Sequence, residues 1–272
     1  MRRSSVAALT LFLVAGSAAG LFAQRRGWFR GPVDVSIDPA PQYDGRFAFA
    51  RLKYTTGPGG YYFQGMPAWA HGYAPEYGCA RDPAGNCIRS ETNLDQILKS
   101  VTNMDPHTDG TAVVDVASPD LFRYPIVYAT EPGYMQLDDK DVKNFRAYLM
   151  KGGFVIFDDF RGYDWDSFQQ TMERVLPGEH LIQLDVKQPI FHAFFDIPSL
   201  NFVSAYDMRN GPPIFYGMFP NNDMSKPMQV ISNYNNDVSQ YWQYSAAGFL
   251  PIDLSNEAYK FGVNYIVYGL TH

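Results

Sequence analysis

Apolar residues recur at helical spacing in several stretches of the chain. From Ser90 onward they follow the i, i+3, i+4, i+7 pattern of a helix with one buried face. A second helix is predicted over residues 139–151, because Asp138 and Asp141 fit a capping box and Gly152 supplies a C-terminal stop. The other predicted helices cover residues 165–175 and 256–270, the last one capped by Ser255.

Short runs rich in apolar and β-branched residues predict strands between and after these helices. The predicted strands are residues 47–54, 111–116, 126–130, 154–158, 181–184, 202–206, 214–219 and 229–234. In the first part of the chain the strands alternate with helices, which is typical of a mostly parallel sheet with helices on both faces. The later strands include candidate antiparallel edges. The pattern therefore predicts an α/β fold that forms one domain over residues 47–272.

The predicted strand over residues 154–158 is a continuous apolar run that ends in Asp158 and Asp159. Ligands of open α/β sheets bind beyond the carboxyl ends of the strands, so a site is expected there. Glu131 ends a neighbouring predicted strand and is expected at the same edge. If two of these carboxylates converge, they repel each other and raise one pKa, which makes a proton donor. Alternatively, they bind a hard cation such as Ca²⁺ or Mg²⁺.

A structural alternative has Asp159 capping the following helix or turn and Asp158 paired with Arg161, which is also a candidate binding residue. Adjacent strand residues point to opposite faces, so the two aspartates cannot face one ligand unless the chain turns between them. His192 lies among aromatic residues, which favours a structural role, with a ring nitrogen bonded to backbone, over general-base catalysis. His71 and the other histidines lack zinc-site spacing, so no metal site is assigned.

Aromatic residues make up 16% of the chain, and many fall in a Gly- and Pro-rich loop predicted over residues 55–89. A loop of this length inside a domain is more often functional than accidental. Exposed aromatic faces and turn amides are suited to carbohydrate or peptide, although they also pin loops and close turns. The candidate binding residues are Tyr61, Tyr62, Trp69, Tyr73, Tyr77, Asn235 and Asn236. The loop also carries Cys79 and Cys87, whose spacing predicts a local disulfide in an exported protein.

The chain begins with basic residues and an apolar run that ends at Ala23, which is typical of a secretory signal peptide over residues 1–23. An uncleaved membrane anchor is the alternative, because the run is barely long enough to span a bilayer. Residues 24–46 lack periodicity and predict an extended arm or linker. The net charge is −6 and no basic stripe is present, which argues against nucleic-acid binding. The predicted signal peptide leads us to expect a periplasmic or extracellular location.

An ordered series of segments carries a resemblance to a known family. The segments are FAFARLKY at 47–54, TNLDQIL at 92–98, PDLFRYPIVYAT at 119–130, LDDKDVKNFRAYLMKGGFVIFDDFRG at 137–162, QPIFHAFFDI at 188–197 and NEAYKFGVNYIVYGLTH at 256–272. Over residues 47–272 the chain resembles the bacterial domain-of-unknown-function family 4159. The resemblance implies a three-layer, flavodoxin-like sandwich, similar in fold to class I glutamine amidotransferases, and an envelope location. It implies no established activity.

The chain departs from amidotransferase chemistry at the strand end. That chemistry requires a nucleophilic cysteine on a sharp turn after a strand, activated by a histidine and an acid. Here Asp158 and Asp159 occupy the turn, both cysteines lie far upstream, and no Gly-x-Ser-x-Gly is present. Residues 130–133 also differ from the Gly-His-Gly-like turn that the family resemblance implies. The sequence therefore argues against glutaminase and serine-hydrolase activity.

The sequence predicts an exported, non-catalytic domain that binds an envelope protein or a surface glycan, alone or within a larger envelope complex, without a cofactor. The alternative is a hydrolase or metal-dependent enzyme that uses Asp158, Asp159, Glu131 and His192. An enzyme should bring these side chains together around one pocket. A binding domain should present a broad exposed aromatic surface.

Overall fold

A computed structural model of the chain describes residues 32–62, 65–73, 89–204, 211–245 and 250–272. The predicted leader, Tyr77 and the predicted disulfide between Cys79 and Cys87 lie outside these ranges, so they stay predictions. Within the described ranges, no helix combines the length and the apolar character that a bilayer crossing requires.

The described residues form a series of strands that alternates with helices in the first part of the chain. The strands are β1 (Ala50–Lys53), β2 (Thr55–Thr56), β3 (Tyr61–Tyr62), β4 (Met66–Pro67), β5 (Ala112–Asp115), β6 (Ile126–Thr130), β7 (Met135–Gln136), β8 (Phe154–Phe160), β9 (Ile182–Gln183), β10 (Ile214–Met218) and β11 (Val230–Tyr234). The helices are α1 (Ser90–Val101), α2 (Asp139–Met150), α3 (Asp164–Val175), α4 (Val238–Gln243) and α5 (Ile252–Thr271).

One sheet runs through the centre of the described structure, with the strand order β5-β1-β6-β8-β11-β10-β9. The first five of these strands are parallel, whereas β10 and β9 add an antiparallel edge. Numbered among themselves, the parallel strands follow the order 2-1-3-4-5, which is the doubly wound order of flavodoxin-like folds. The predicted α/β sandwich with an added β edge is therefore confirmed. The likeness to class I glutamine amidotransferases stays a prediction.

Helices cover both faces of the sheet and make it a three-layer structure. Helices α2 and α3 pack on one face together with the 3₁₀ turn Ala68–Ala70, and α1, α4 and α5 pack on the other. Strand β8 is buried throughout. Its Val155 faces the first layer and its Ile156 faces the second, as the alternation of strand side chains requires. Both faces of β8 are therefore core.

Helix α2 begins and ends as the sequence predicts. Asp138 Oδ1 accepts a hydrogen bond from the Asp141 N–H at 2.8 Å, and Asp141 Oδ2 accepts one from the Asp138 N–H at 3.0 Å. This reciprocal pair is the predicted capping box. Gly152 follows the helix with φ +92°, a conformation that glycine adopts without steric cost.

Three predicted boundaries are wrong. Helix α5 begins at Ile252, directly after Pro251, so Ser255 lies in its first turn and donates its N–H to the Pro251 carbonyl at 3.1 Å. A proline is disfavoured in a helix interior but tolerated at its start. Strand β8 continues past residue 158 to Phe160. Residues 202–204 form no strand, and the rest of the predicted strand 202–206 lies outside the described ranges.

The described part of the predicted arm, residues 32–46, contains no helix or strand and lies against its own domain. The Val33 N–H donates to the Gly65 carbonyl at 2.9 Å. The Asp38 carboxylate pairs with Arg89 at 2.6 Å. The arm therefore contacts both the chain next to β4 and the start of α1.

Candidate functional site

Three residues at the carboxyl ends of neighbouring parallel strands have a left-handed backbone. Glu131 follows β6 with φ +52°, Asp159 lies in β8 with φ +61°, and Asn235 follows β11 with φ +59°. None of them is glycine, and such a conformation costs on the order of 1–3 kcal/mol per residue. Strain of this kind clusters at functional sites, so this edge of the sheet is the candidate site.

The strain in β8 accompanies a bulge. Strand β11 pairs Ser232 with Phe157 and Tyr234 with Phe160, so β8 holds one more residue than β11 in this interval. An extra residue bends the bulged strand and redirects its side chains, and Asp159 takes the left-handed conformation there. Asp159 keeps the side of the sheet that Phe157 faces, and the bulge brings Phe160 to that side as well.

His71 joins two of the predicted carboxylates. Its Nδ1 lies 2.9 Å from Glu131 Oε1 and 2.6 Å from Asp159 Oδ2. One donor atom from each of the three side chains lies within 4.8 Å of the others. Glu131 directly follows β6 and Asp159 lies in the adjacent parallel strand β8, and the Glu131 N–H donates to the Asp158 carbonyl at 3.0 Å, which fixes the separation of their backbones. We refer to His71, Glu131 and Asp159 as the strand-end site.

The strand-end site is buried on its carboxylate side and open on its histidine side. Glu131 is 6% exposed and Asp159 is 4% exposed. The side chain of His71 is 27% exposed. The imidazole is therefore the most solvent-accessible of the three side chains, whereas the carboxylates are shielded from bulk water.

Two tyrosine hydroxyls hold Glu131. Tyr62 donates its hydroxyl to Glu131 Oε2 at 2.7 Å, and its ring stacks on His71 with the centroids 5.7 Å apart and the planes at 19°. Burial and the Glu131 charge raise the pKa of Tyr62, so it remains a donor at neutral pH. Tyr54 donates to the main-chain carbonyls of Thr130 and Glu131 at 2.7 and 2.9 Å. These bonds support the strained turn at Glu131.

A buried arginine holds the main chain of His71. Arg51 donates from Nη1 to the His71 carbonyl at 2.7 Å and to the Trp69 carbonyl at 3.2 Å. Its Nε donates to Glu91 Oε1 at 2.6 Å, so the guanidinium is neutralised inside the protein. Arg51 comes from β1 and Glu91 from α1. The position of His71 therefore depends on the sheet and on the first helix.

The electrostatics of the strand-end site favour an added positive charge. Burial, together with the neighbouring Asp159 charge, raises the pKa of Glu131 to about 7, although the His71 and Tyr62 hydrogen bonds oppose the rise. One Nδ1 atom faces two carboxylates, and it can supply only one proton to them. A proton on Glu131 or a bound cation would therefore reduce the repulsion between the Glu131 and Asp159 carboxylates.

Asp158 has a structural role, which corrects its prediction as a catalytic candidate or as a partner of Arg161. Its carboxylate accepts from the Val238 N–H at 3.2 Å and the Ser239 N–H at 2.9 Å, both in the first turn of α4. It also accepts from Asn233 Nδ2 at 3.1 Å and from the Tyr128 hydroxyl at 3.2 Å. Burial raises the pKa of Asp158 to about 6, although these donors oppose the rise.

The other predicted helix contact is also corrected. Asp159 does not cap α3, because the residue before that helix is Tyr163 and the helix has no side-chain capping bond at that position. Asp159 Oδ2 instead accepts from the Thr130 hydroxyl at 3.3 Å and faces His71. Arg161 is exposed on the turn after β8, and its N–H lies 3.3 Å from Asp164 Oδ2.

The two predicted binding asparagines are buried in the turn after β11. The Asn235 side-chain amide donates to the carbonyls of Gly211 and Pro212, and the Asn236 side-chain oxygen accepts from the Asp237 N–H at 3.0 Å. Asn235 is 1% exposed and Asn236 is 0% exposed. In this conformation they close the turn, as the structural alternative expects, and do not present amides to a ligand.

The predicted aromatic residues divide into two groups. Trp69 and Tyr73 are 4% and 1% exposed and belong to the core, which corrects their prediction as stacking surfaces. Tyr61 is 39% exposed, and Tyr62 is half-buried beside Glu131. The buried aromatic rings of this loop therefore anchor it to its own domain, because burial of an apolar ring contributes favourably to the free energy of folding.

His192 does not join the carboxylates, which corrects its prediction as a catalytic candidate. It ends the 3₁₀ turn Pro189–His192. Its Nε2 lies 2.6 Å from the Val186 carbonyl, which is the predicted backbone contact, and its Nδ1 lies 2.6 Å from Asp196 Oδ1. The ring is partly exposed rather than wedged into the core.

His71 is not predicted as a site residue from the sequence, because its neighbours do not show the short spacing between ligands that metal motifs have. His71 is 60 positions from Glu131, and its ring reaches the site through the fold of an irregular segment. The feature of the sequence that could have indicated His71 is the aromatic loop. Tyr62 and His71 both lie in this loop, and both contact the Glu131 carboxylate. The structure brings together Glu131 and Asp159 of the predicted set and adds His71.

Comparisons with known proteins address family membership. No curated protein matches the sequence. A family model described as a domain of unknown function, DUF4159, matches residues 76–270, which is more than half of the chain. Glu131 and Asp159 lie inside the matched residues, whereas His71 precedes them. The chain belongs to the DUF4159 family.

Proposed function

We propose that this protein is a metal-dependent enzyme of the hydrolase class whose centre is the strand-end site. The observation that carries the proposal is one imidazole nitrogen within 2.9 Å of carboxylates from two adjacent parallel strands. This makes the metal-dependent alternative of the sequence analysis the better supported one, with His71 in place of His192 and without Asp158.

The donor set suits a first-row divalent cation. Zinc binds imidazole nitrogen and carboxylate oxygen at about 2.0–2.2 Å, and Mn²⁺ also accepts oxygen-rich sets. Tetrahedral ligands at such distances are separated by about 3.3 Å. The donor atoms of His71, Glu131 and Asp159 all lie within 4.8 Å of one another, so small side-chain rotations would accommodate an ion.

The surroundings of the three residues resemble the outer contacts of a metal centre. Tyr62 donates to Glu131 and Thr130 donates to Asp159, so both carboxylates have an orienting hydroxyl. Such partners hold ligands in position and increase metal affinity. His71, Glu131 and Asp159 would supply three protein ligands, and a bound divalent ion would contribute the acidification of a water molecule that hydrolysis requires.

Metal binding is tested with chelator-stripped protein titrated with Zn²⁺ and Mn²⁺ by calorimetry. We expect one site per chain and a loss of affinity on the order of 100-fold in His71→Ala, Glu131→Gln and Asp159→Asn, because removal of orienting partners alone costs 10- to 100-fold. His192→Ala is the matched control, since His192 also contacts an aspartate but only one. An equal loss in this control, or no stoichiometric binding by the wild type, would contradict the proposal.

Hydrolytic activity is tested separately. Wild-type protein loaded with the metal that binds is assayed on chromogenic esters, phosphoesters and acylated sugars. We expect turnover that a chelator abolishes and that Glu131→Gln lacks. Metal binding without turnover of any of these substrates would retain the metal site and reject the hydrolase assignment.

The export of the protein and its binding to an envelope protein or surface glycan stay predictions. In the described residues, Trp69 and Tyr73 do not form the aromatic surface that such binding was expected to use. Copurification from native membranes tests this role, and a partner recovered equally well by Glu131→Gln would assign binding to a surface other than the strand-end site.

A further inference from the structure

The N-terminal arm, residues 32–46, lies against the chain that carries His71. We infer that this arm is a positioning element of the strand-end site and governs how tightly the site retains its metal. The inference rests on the proposed function, because it concerns the metal ligand His71. It assigns a role to Asp38 and Arg89, which lie outside the site itself.

The three ligands differ in how the fold supports them. Glu131 and Asp159 are carried by β6 and β8, strands in the interior of the central sheet. His71 is carried by residues 65–73, a segment that pairs with no strand of that sheet. We call residues 65–73 the His71 segment. Its geometry must come from contacts other than the ladder of the central sheet, and among the described strands its strand β4 pairs only with β3 in a separate two-stranded sheet.

The arm donates hydrogen bonds to both ends of the His71 segment. At the first end the Val33 N–H donates to the Gly65 carbonyl at 2.9 Å. At the second end the Asp38 N–H donates to the Tyr73 hydroxyl at 3.1 Å. Between these ends Arg51 donates hydrogen bonds to the main-chain carbonyls of Trp69 and His71.

Arg89 couples the arm to the second end of the segment. Its guanidinium pairs with the Asp38 carboxylate at 2.6 Å, lies 4.1 Å from the centre of the Tyr73 ring, and donates to the Tyr73 carbonyl at 3.2 Å. Arg89 is 18% exposed in its side chain, so the pair is partly shielded from solvent. Loss of either partner removes one restraint from the end of the segment two residues after His71.

The affinity of a site falls in proportion to the fraction of molecules that hold the binding conformation. When the arm contacts are lost, the His71 segment samples conformations in which Nδ1 no longer faces Glu131 and Asp159. We therefore expect Asp38→Ala and Arg89→Gln to raise the metal dissociation constant about three- to tenfold. The double variant should resemble the stronger single variant, because either change alone already breaks the Asp38–Arg89 pair.

The experiment combines metal titration with amide hydrogen exchange of metal-free protein. In Asp38→Ala and Arg89→Gln, exchange of the His71 segment should accelerate while β8 exchanges as in the wild type. Asp34→Ala is the matched control, since Asp34 is an exposed aspartate of the same arm, and it should leave both measurements unchanged.

Unchanged exchange of the His71 segment in the two variants, or equal acceleration in β8, would overturn the inference. The two proposals fail separately. If wild-type protein binds no metal, the proposed function fails, but faster exchange confined to the His71 segment still supports the positioning role of the arm. If metal binds and neither affinity nor exchange responds to Asp38 and Arg89, only the positioning role is rejected.

Discussion

Glu131 combines a left-handed backbone with a buried carboxyl and two facing groups, His71 and Tyr62. A glycine would relieve the backbone strain, so the side chain is the reason for a glutamate at this position. The bonds of Tyr54 to the neighbouring carbonyls offset part of the strain. Function and local stability therefore oppose each other at this residue.

The raised pKa of Glu131 makes the stability of metal-free protein depend on pH. Glu131 has an ordinary pKa of 4.5 and a folded-state pKa of about 7. Between these values the folded state holds more protons than the unfolded state, so the free energy of unfolding falls as pH rises. We expect a fall of about 1–3 kcal/mol from pH 4.5 to pH 7.5, measured by urea unfolding.

The variant Glu131→Gln should lose the part of this dependence that Glu131 contributes, because glutamine does not titrate. Burial also raises the pKa of Asp158 to about 6 and the pKa values of Asp95 and Asp237 well above their ordinary range, so a slope in the same direction should remain. A variant slope as steep as that of the wild type would assign the titration to other groups.

Asp158 bonds the first turn of α4, whereas its neighbour Asp159 belongs to the strand-end site. Asp158→Asn replaces one acceptor oxygen by an amide that faces the N–H groups of α4. We expect a loss of about 2–4 kcal/mol in the free energy of unfolding, because buried donors lose their partner. Metal affinity of the folded variant should stay within about twofold of wild type, which calorimetry checks. An affinity loss equal to that of Asp159→Asn would place both aspartates in the site.

Sequence alone could identify the two carboxylates but not their partner. Glu131 and Asp159 were expected at one sheet edge because parallel strands place their carboxyl ends together. The alternation of strand side chains also separated Asp158 from Asp159 correctly. His71 was not predictable, because an irregular segment has no period from which its direction can be read.

At the scale of elements, the capping box of α2 gives a test that is independent of function. Asp138→Ala removes the acceptor of the Asp141 N–H and should cost about 1 kcal/mol of unfolding free energy. Lys140→Ala changes an exposed residue of the same turn and serves as the control. Thermal unfolding of the two variants measures the difference, and equal stabilities would show that the box contributes nothing.

The turn after β6 packs directly against the start of α3. A Cβ added at Gly133 would lie 2.7 Å from Asp164 Cα, so Gly133→Ala must push the turn and the helix apart. We expect a loss of about 1–3 kcal/mol and weaker metal binding, because Glu131 lies two residues upstream. Gly110→Ala, whose added Cβ meets only ordinary contacts with Pro41, is the control. Similar results for both variants would show that the turn tolerates displacement.

The elements that the sequence predicted best are those with strong local signals. The helices α1, α2 and α3 follow from apolar periodicity and caps, and β6 from a bounded apolar run. The end of β8 was misplaced because two aspartates read as a turn, whereas the bulge lets the strand continue through them. The start of α5 was misplaced because Ser255 resembled a cap, although Pro251 sets the boundary.

At the scale of the whole molecule, the sheet ties distant parts of the sequence together. Strand β1 lies between β5 and β6, and it pairs with both. Its Arg51 also holds His71. The first strand of the described residues is therefore an interior strand of the sheet, and it contributes to both the core and the site.

This position of β1 bears on how the family boundaries should be used in the laboratory. An expression fragment cut to residues 76–270 would omit β1 and leave β5 without its neighbour. We expect such a fragment to lack dispersed amide resonances and to precipitate, whereas residues 32–272 give a folded sample. A well-dispersed spectrum from the shorter fragment would contradict this. The recombinant unit for crystallisation or screening should accordingly start well upstream of the recognised family segment.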